Sequence, residues 1–178
     1  YRRIETLLGL PEQIRGRTSL NHYKGQLQLD DISFGFPQGN GPLFEHLNAH
    51  IEPGSILVIK GRNGSGKTSL ARLICGFYRP RRGAITVGGN ELQQMDMVWW
   101  RTQLIYVPQD PEFLNATLRN NFRFLVPEIS DAKIHELLDR VCLSNFARST
   151  TEGLDMLLID GGANLSPGIK RKLAIARA

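Results

Sequence analysis

Residues 61 to 68 read Gly61-Arg62-Asn63-Gly64-Ser65-Gly66-Lys67-Thr68, directly after the apolar run Ile56-Leu57-Val58-Ile59. They fill every fixed position of the phosphate-loop pattern G-x-x-x-x-G-K-[ST]. The glycines let the backbone curl with its N–H groups pointing inward, and those donors, together with the N-terminus of the helix that follows, attract a phosphate chain. Lys67 is placed to reach the β and γ phosphates and the Thr68 hydroxyl to ligate Mg²⁺, while Gly61, Asn63, Gly64, Ser65, Gly66 and Ser69 complete the cradle. A strand before the loop and a helix after it are both expected, which separates it from an incidental glycine-rich turn. The implied ligand is a nucleoside triphosphate with its metal.

The elements that must position this loop follow from periodicity. Lys67 to Phe77 reads as a helix with Leu70, Leu73, Ile74 and Phe77 on one face, and Ser55 to Lys60 as the buried strand that delivers the loop. Gln26 to Phe36 alternates as a strand through Leu27, Leu29 and, after a break at Asp30-Asp31, Ile32 and Phe34. The Gly- and Pro-rich stretch 37–42 is then a turn. Ala84 to Val87, bounded by Gly83 and Gly88-Gly89, and Leu104 to Val107, ending at Pro108-Gln109, are two further strands. From Ala116 to Phe146 helical patterns dominate, clearest from Ser130 to Cys142, with Ser130 as N-cap. Tyr1 to Leu10, stopped by Pro11, reads as the end of a helix arriving from upstream. Strands first and a helical block second imply an α/β phosphate-loop NTPase core with an N-terminal antiparallel β portion and an inserted α-helical subdomain. The expected division is a linker over residues 1–24, the nucleotide-binding core over 25–112, and a helical part over 113–178.

Composition sets bounds. A chain of 178 residues suits one domain with a core and a small subdomain. Its hydrophobic content of 41% is ordinary, and no apolar stretch approaches the ~18 residues of a membrane span. The net charge of +5 is scattered, and Arg79-Pro80-Arg81-Arg82, its only dense cluster, lacks aromatic interleaving. It reads as a solvated turn, so no nucleic-acid partner is expected. Cys75 and Cys142 have neither metal-ligand nor disulfide-framework spacing and read as buried thiols.

The phosphate loop alone leaves kinases, GTPases, motor ATPases and transporter ATPases open. Two further segments narrow the field. The stretch from Asn164 through Leu165-Ser166-Pro167-Gly168-Ile169-Lys170 to Ala176-Arg177-Ala178 resembles the signature and following helix of the ATP-binding cassette (ABC) family, N-L-S-G-G-Q-R-Q-R-x-A-x-A-R-A. Tyr106-Val107-Pro108-Gln109-Asp110-Pro111 resembles that family's Q-loop, and Phe36 stands at the aromatic position of its A-loop. The motifs come in the family's order and span the chain. The resemblance is to the nucleotide-binding domain of ABC exporters, including those of type I secretion.

That resemblance implies ATP and Mg²⁺ as ligands. It gives Phe36 the role of stacking on adenine, Gln109 that of offering its amide oxygen to Mg²⁺ or the attacking water, and Ser166 and Gly168 contact with the γ-phosphate held by a second subunit. Its implied partners are a second ATP-binding subunit, paired head to tail as homo- or heterodimer, and a membrane domain fused upstream. Its implied place is the cytoplasmic face of the cell membrane.

Pro167 and Ile169 depart from the pattern's Gly and Gln. Proline suits the first helical turn but removes a backbone donor, so weaker contact across the dimer is expected. The family's acidic Asp-Glu pair, which phosphoryl transfer demands, is expected beyond Ala178; on that reading residues 1–178 are an incomplete domain that does not turn over ATP alone. Met156-Leu157-Leu158-Ile159-Asp160 imitates the acidic strand. A soluble phosphate-loop kinase or switch NTPase using Asp160 for Mg²⁺ is thus the rival reading, with a DNA-repair type ABC ATPase a third.

Overall fold

Leu27, Leu29, Ile32 and Phe34 point their side chains into one core because a strand's side chains alternate and a bulge resets the phase between Leu29 and Ile32. The computed structural model describes residues 18–178 apart from 38, 40 and 150, and only the backbone of 148 and 149. The expected helix at Tyr1 to Leu10, and most of the 1–24 linker, lie outside the described residues.

The described residues up to Leu104 form one compact unit and Ile105–Ala178 a second. In the first, β1 (Leu27–Phe34), β2 (Phe44–Ile51), β3 (Arg82–Val87) and the short β4 (Asn90–Glu91) make an antiparallel sheet in the order β2-β1-β3-β4. The expected break at Asp30-Asp31 is a bulge inside a continuous strand: Asp31 takes φ 51°, and His46 on β2, whose ring Nδ1 lies 2.6 Å from the Asp31 carboxylate, takes φ 54°. Gly83 is required here, since a Cβ on it would lie 2.2 Å from the Asp30 carbonyl oxygen. Helix α1 (Lys67–Ile74) and helix α2 (Met97–Thr102) supply Leu70, Leu73 and Trp100 to the same core as β1 and β3. The fully buried Trp100 donates its indole N–H to the Ile74 carbonyl at 2.9 Å, so its polar edge is satisfied.

Several expectations are corrected. Helix α1 stops at Ile74, not Phe77. Gly76 at φ 73° donates to Leu73 O, and Phe77 donates to Arg72 O, which is the left-handed glycine closure of a helix C-terminus. Phe77 is consequently 49% exposed, beneath the Arg101 guanidinium, and not on the buried face. Ser55 to Lys60 is not a strand, and Ile56 and Val58 are 90% and 65% exposed. Extended backbone becomes sheet only when a neighbour takes its N–H and C=O groups, and no described residue forms a ladder with this segment. Leu104 to Val107 likewise is not a strand, and Ile105 is exposed. Arg81 and Arg82 do not merely face water: Arg82 pairs with Asp31 at 2.8 Å and Arg81 bonds the Phe36 carbonyl at 2.7 Å.

The second unit holds α3 (Leu118–Arg123), α4 (Asp131–Arg140), α5 (Ser144–Ser149) and α6 (Pro167–Arg177) around Leu118, Ile134, Leu138, Leu158 and Leu173, all fully buried. Ser130 caps α4 as expected, its Oγ accepting the Lys133 N–H at 3.2 Å. Cys75 is buried, but Cys142, just past α4 at φ 55°, is exposed. No helix of the described residues is long and apolar enough to cross a membrane.

Candidate functional site

In the first unit the loop 61–66 is built by two left-handed glycines, Gly64 at φ 82° and Gly66 at φ 89°. Alternation into that region turns successive backbone N–H groups toward one concavity, which favours an anion. Gly66 also serves as the N-cap of α1 with no side-chain cap, leaving the helix's first N–H groups without a partner from a capping side chain. A Cβ on Gly66 would sit 2.9 Å from the Phe44 ring at a left-handed φ, so that position demands glycine, whereas one on Gly61 would sit 2.6 Å only from the Ser65 hydroxyl, which can rotate away. Lys67 folds back over the loop. Its Nζ donates to Gly61 O at 3.0 Å and Arg62 O at 2.8 Å, which holds a positive charge at the loop's mouth. Asn63, Ser65 and Thr68 are exposed and Ser69 half-buried. The oxygen donor offered by Thr68 beside a cationic, N–H-rich loop fits a hard divalent ion carried by phosphates. Among the described residues no group of three or more His, Cys, Asp or Glu could hold a metal without such a ligand.

Phe36 lies just past β1 and is 41% exposed. Its ring makes edge contacts with Phe34 (5.2 Å, 76°) and Tyr78 (5.6 Å, 89°). Phe34 in turn touches Phe44 at 6.0 Å, and the Phe44 ring lies against Gly66. A run of rings thus links Phe36 to the phosphate loop, and the ring of Phe36 keeps accessible surface rather than filling the core.

In the second unit Ser166 is the N-cap of α6, its Oγ accepting the Ile169 N–H at 3.3 Å, and Pro167 occupies the first turn. Ser166 and Gly168 are exposed, and a Cβ on Gly168 would meet nothing within 4 Å. Ile169 packs against the helical core, which accounts for an apolar residue there. Gln109 is exposed. Its carbonyl accepts from Arg171 Nε at 3.3 Å, Lys170 pairs with Asp110 at 3.3 Å, and Arg177 donates to Glu112 O at 3.2 Å while lying over the Phe113 ring at 4.7 Å. Burial lowers the Arg177 pKa below its ordinary value. Three cations of α6 therefore hold residues 109–113 to the helix that begins at Ser166.

Asp160 is exposed at φ 48° and opens a turn continued by Gly161 and Gly162, both also left-handed. Asn164 ties that turn back, accepting from Ile159 N and donating to Leu157 O. This is the loop before α6, not the end of a strand. Sequence reasoning missed Asn121, fully buried, whose amide accepts from Leu114 N at 2.8 Å and donates to Leu114 O and Thr117 O. Its signal was a polar residue on the apolar face of a short helix.

Comparison with known proteins places these features. The family described as ABC transporter matches residues 44–178. The ATP-dependent lipid A-core flippase of Alkalilimnicola ehrlichii is 32% identical over 98% of this chain and 30% of its own length. The leukotoxin translocation ATP-binding protein LktB of Mannheimia haemolytica is 31% identical over 99% of this chain and 25% of its own. A mitochondrial potassium channel ATP-binding subunit of Xenopus tropicalis is 32% identical over 93% of this chain and 24% of its own. Among solved structures, a bacterial Atm1-family ABC exporter with ATP bound is similar at a TM-score of 0.86 and 25% identity, covering 99% of this chain and 31% of that one. The chain spans less than a third of the length of these relatives.

Proposed function

This chain belongs to the ABC transporter family, and from that premise we propose that it binds Mg-ATP through residues 61–69 and, in the protein of which it is the ATP-binding part, supports hydrolysis that drives transport across a membrane. The observation that carries the reading is the loop itself, with Gly64 and Gly66 left-handed and Lys67 poised over its carbonyls. An anionic phosphate replaces those carbonyls as the better partner of the ammonium. Lys67 binds the phosphates, Thr68 would hold the Mg²⁺, which would supply neutralisation of phosphate charge, Phe36 offers its ring face to adenine, and Gln109 is assigned its Mg²⁺ or water-orienting role by resemblance to the family alone.

The partners proposed are a second ATP-binding subunit, met through Ser166 and Gly168 at the N-terminus of α6, and a membrane domain, which puts the chain at the cytoplasmic membrane face. The division proposed is a linker over 1–24, a core over 25–112 and a helical part over 113–178. Membership in this family and the turn geometry at Asp160 both weigh against the kinase reading. Calorimetric titration with Mg-ATP tests the proposal: affinity equal in wild type and Asp160→Asn is expected. Loss of Mg-ATP binding in Asp160→Asn, or none in wild type, refutes it.

A further inference from the structure

We infer that Tyr78 is a positioning residue for the nucleotide base, holding the Phe36 ring in place from just beyond the helix whose start carries Lys67 and Thr68. The inference rests on the proposed stacking of adenine on Phe36.

Phe36 cannot be fixed by the sheet. The last ladder pair of β1 is Phe34 with Phe44, and residues 35 and 36 lie beyond it. Its ring is held by side chains instead. Tyr78 stacks nearly parallel on the buried Phe34, at 5.5 Å and 19°, so the two rings form one slab. Phe36 stands edge-on to both members of that slab, at 76° and 89°. Two perpendicular contacts fix a ring's orientation where one leaves it free to swing, and edge-to-face geometry is the favoured one. Three residues on, Arg81 donates Nη2 to the Phe36 carbonyl at 2.7 Å and its backbone N–H to Ser33 O at 2.8 Å. Segment 78–81 therefore grips both the ring and the backbone of Phe36.

That segment begins four residues after α1 ends, past the turn at Gly76. The helix is a rod of about 12 Å at 1.5 Å per residue. Its first turn serves the phosphates and its exit serves the base platform, so the spacing between the two is set by one rigid element. Without Tyr78 the Phe36 ring samples orientations that do not receive a base, and affinity falls by the fraction of time it is misplaced.

Calorimetry on the full chain compares Mg-ATP with magnesium tripolyphosphate, which has phosphates but no base. Tyr78→Leu should weaken ATP about five- to tenfold and leave tripolyphosphate unchanged. Tyr78→Phe gives up only the 3.3 Å hydrogen bond its exposed hydroxyl accepts from Arg72 Nη1 and keeps the ring contacts, so it should bind both normally. Arg81→Ala, an exposed change that leaves the core intact, should show the same ATP-selective loss in weaker form. A Phe36→Ala/Tyr78→Leu double variant should be no worse than Phe36→Ala alone, because the second residue acts through the first. Unchanged ATP affinity in Tyr78→Leu, equal loss for both ligands, or full additivity in the double variant overturns the positioning role while Phe36→Ala still loses ATP. Normal ATP binding by Phe36→Ala overturns the stacking itself, and the role of Tyr78 with it.

Discussion

Replacing Lys67 with methionine keeps the length and packing of the side chain and removes its charge. Lys67 Nζ gives two hydrogen bonds to uncharged carbonyls, Gly61 O at 3.0 Å and Arg62 O at 2.8 Å. In the proposed ATP complex it would exchange them for phosphate oxygens. A bond to a neutral acceptor contributes about 1 kcal/mol net and one to a charged group about 1.5 to 3, so each exchange gains roughly 0.5 to 2 kcal/mol. Two exchanges give about 1 to 4 kcal/mol, a loss of about 5- to 900-fold in affinity for Lys67→Met. The fold should not suffer, because both released carbonyls sit in an exposed loop and return to water. Titration calorimetry with Mg-ATP reads the affinity and urea unfolding the stability. Wild-type affinity in a folded Lys67→Met protein would refute the assignment of the loop. A loss of affinity that merely tracks a loss of stability would refute the claim that the ammonium acts on the ligand.

Three further outcomes are expected. Asn121→Ala leaves the Leu114 N–H without its acceptor and should cost about 1 to 3 kcal/mol in urea unfolding, whereas an exposed neighbour such as Asn120→Ala should cost far less. Ile169→Gln, though closer to the family pattern, exposes the core it packs against and should lower stability by about 1 kcal/mol; no loss would mean the Ile169 side chain is dispensable there. The Asp31 carboxyl is held below its ordinary value of 3.8, chiefly by its hydrogen bond to His46, which outweighs the opposing effect of desolvation, with the charge of Arg82 adding a smaller pull in the same direction as His46. Its stabilising contribution is therefore complete above that value and lost as pH falls through the lowered one, so Asp31→Asn should flatten the acid limb of a Tm-against-pH curve below about pH 4; an unaltered limb contradicts the pairing.

What could be read from the sequence was what local rules decide. Gly64 and Gly66 at left-handed positions, Ser130 and Ser166 as N-caps and Pro167 in the first turn all follow from chemistry within three or four residues. Gly76 obeys the same rules, but Phe77 continues the apolar spacing and masks it. Long-range partners were not legible. The apolar run at 56–59 has strand composition, but composition does not say whether a neighbour supplies the ladder. Arg177 over Phe113 and Arg171 on the Gln109 carbonyl join residues about sixty positions apart. At the candidate site, the glycines and Lys67 announce themselves by pattern, whereas Tyr78, the contact that aligns Phe36, carries no local signal at all.

The exposed run Ile56-Leu57-Val58-Ile59 also governs how the chain behaves in concentrated solution. Four aliphatic residues with no ladder partner among the described residues leave backbone groups open to an added strand, whether from the longer protein itself or from another extended chain. The net charge of +5 keeps copies apart at low ionic strength. At 0.15 M salt that repulsion reaches only about 8 Å, and turbidity should rise with added salt. The same stretch leads directly into Gly61. Any stacking of chains through it therefore draws the phosphate loop into the precipitate, and nucleotide-binding capacity should fall in step with the scattering.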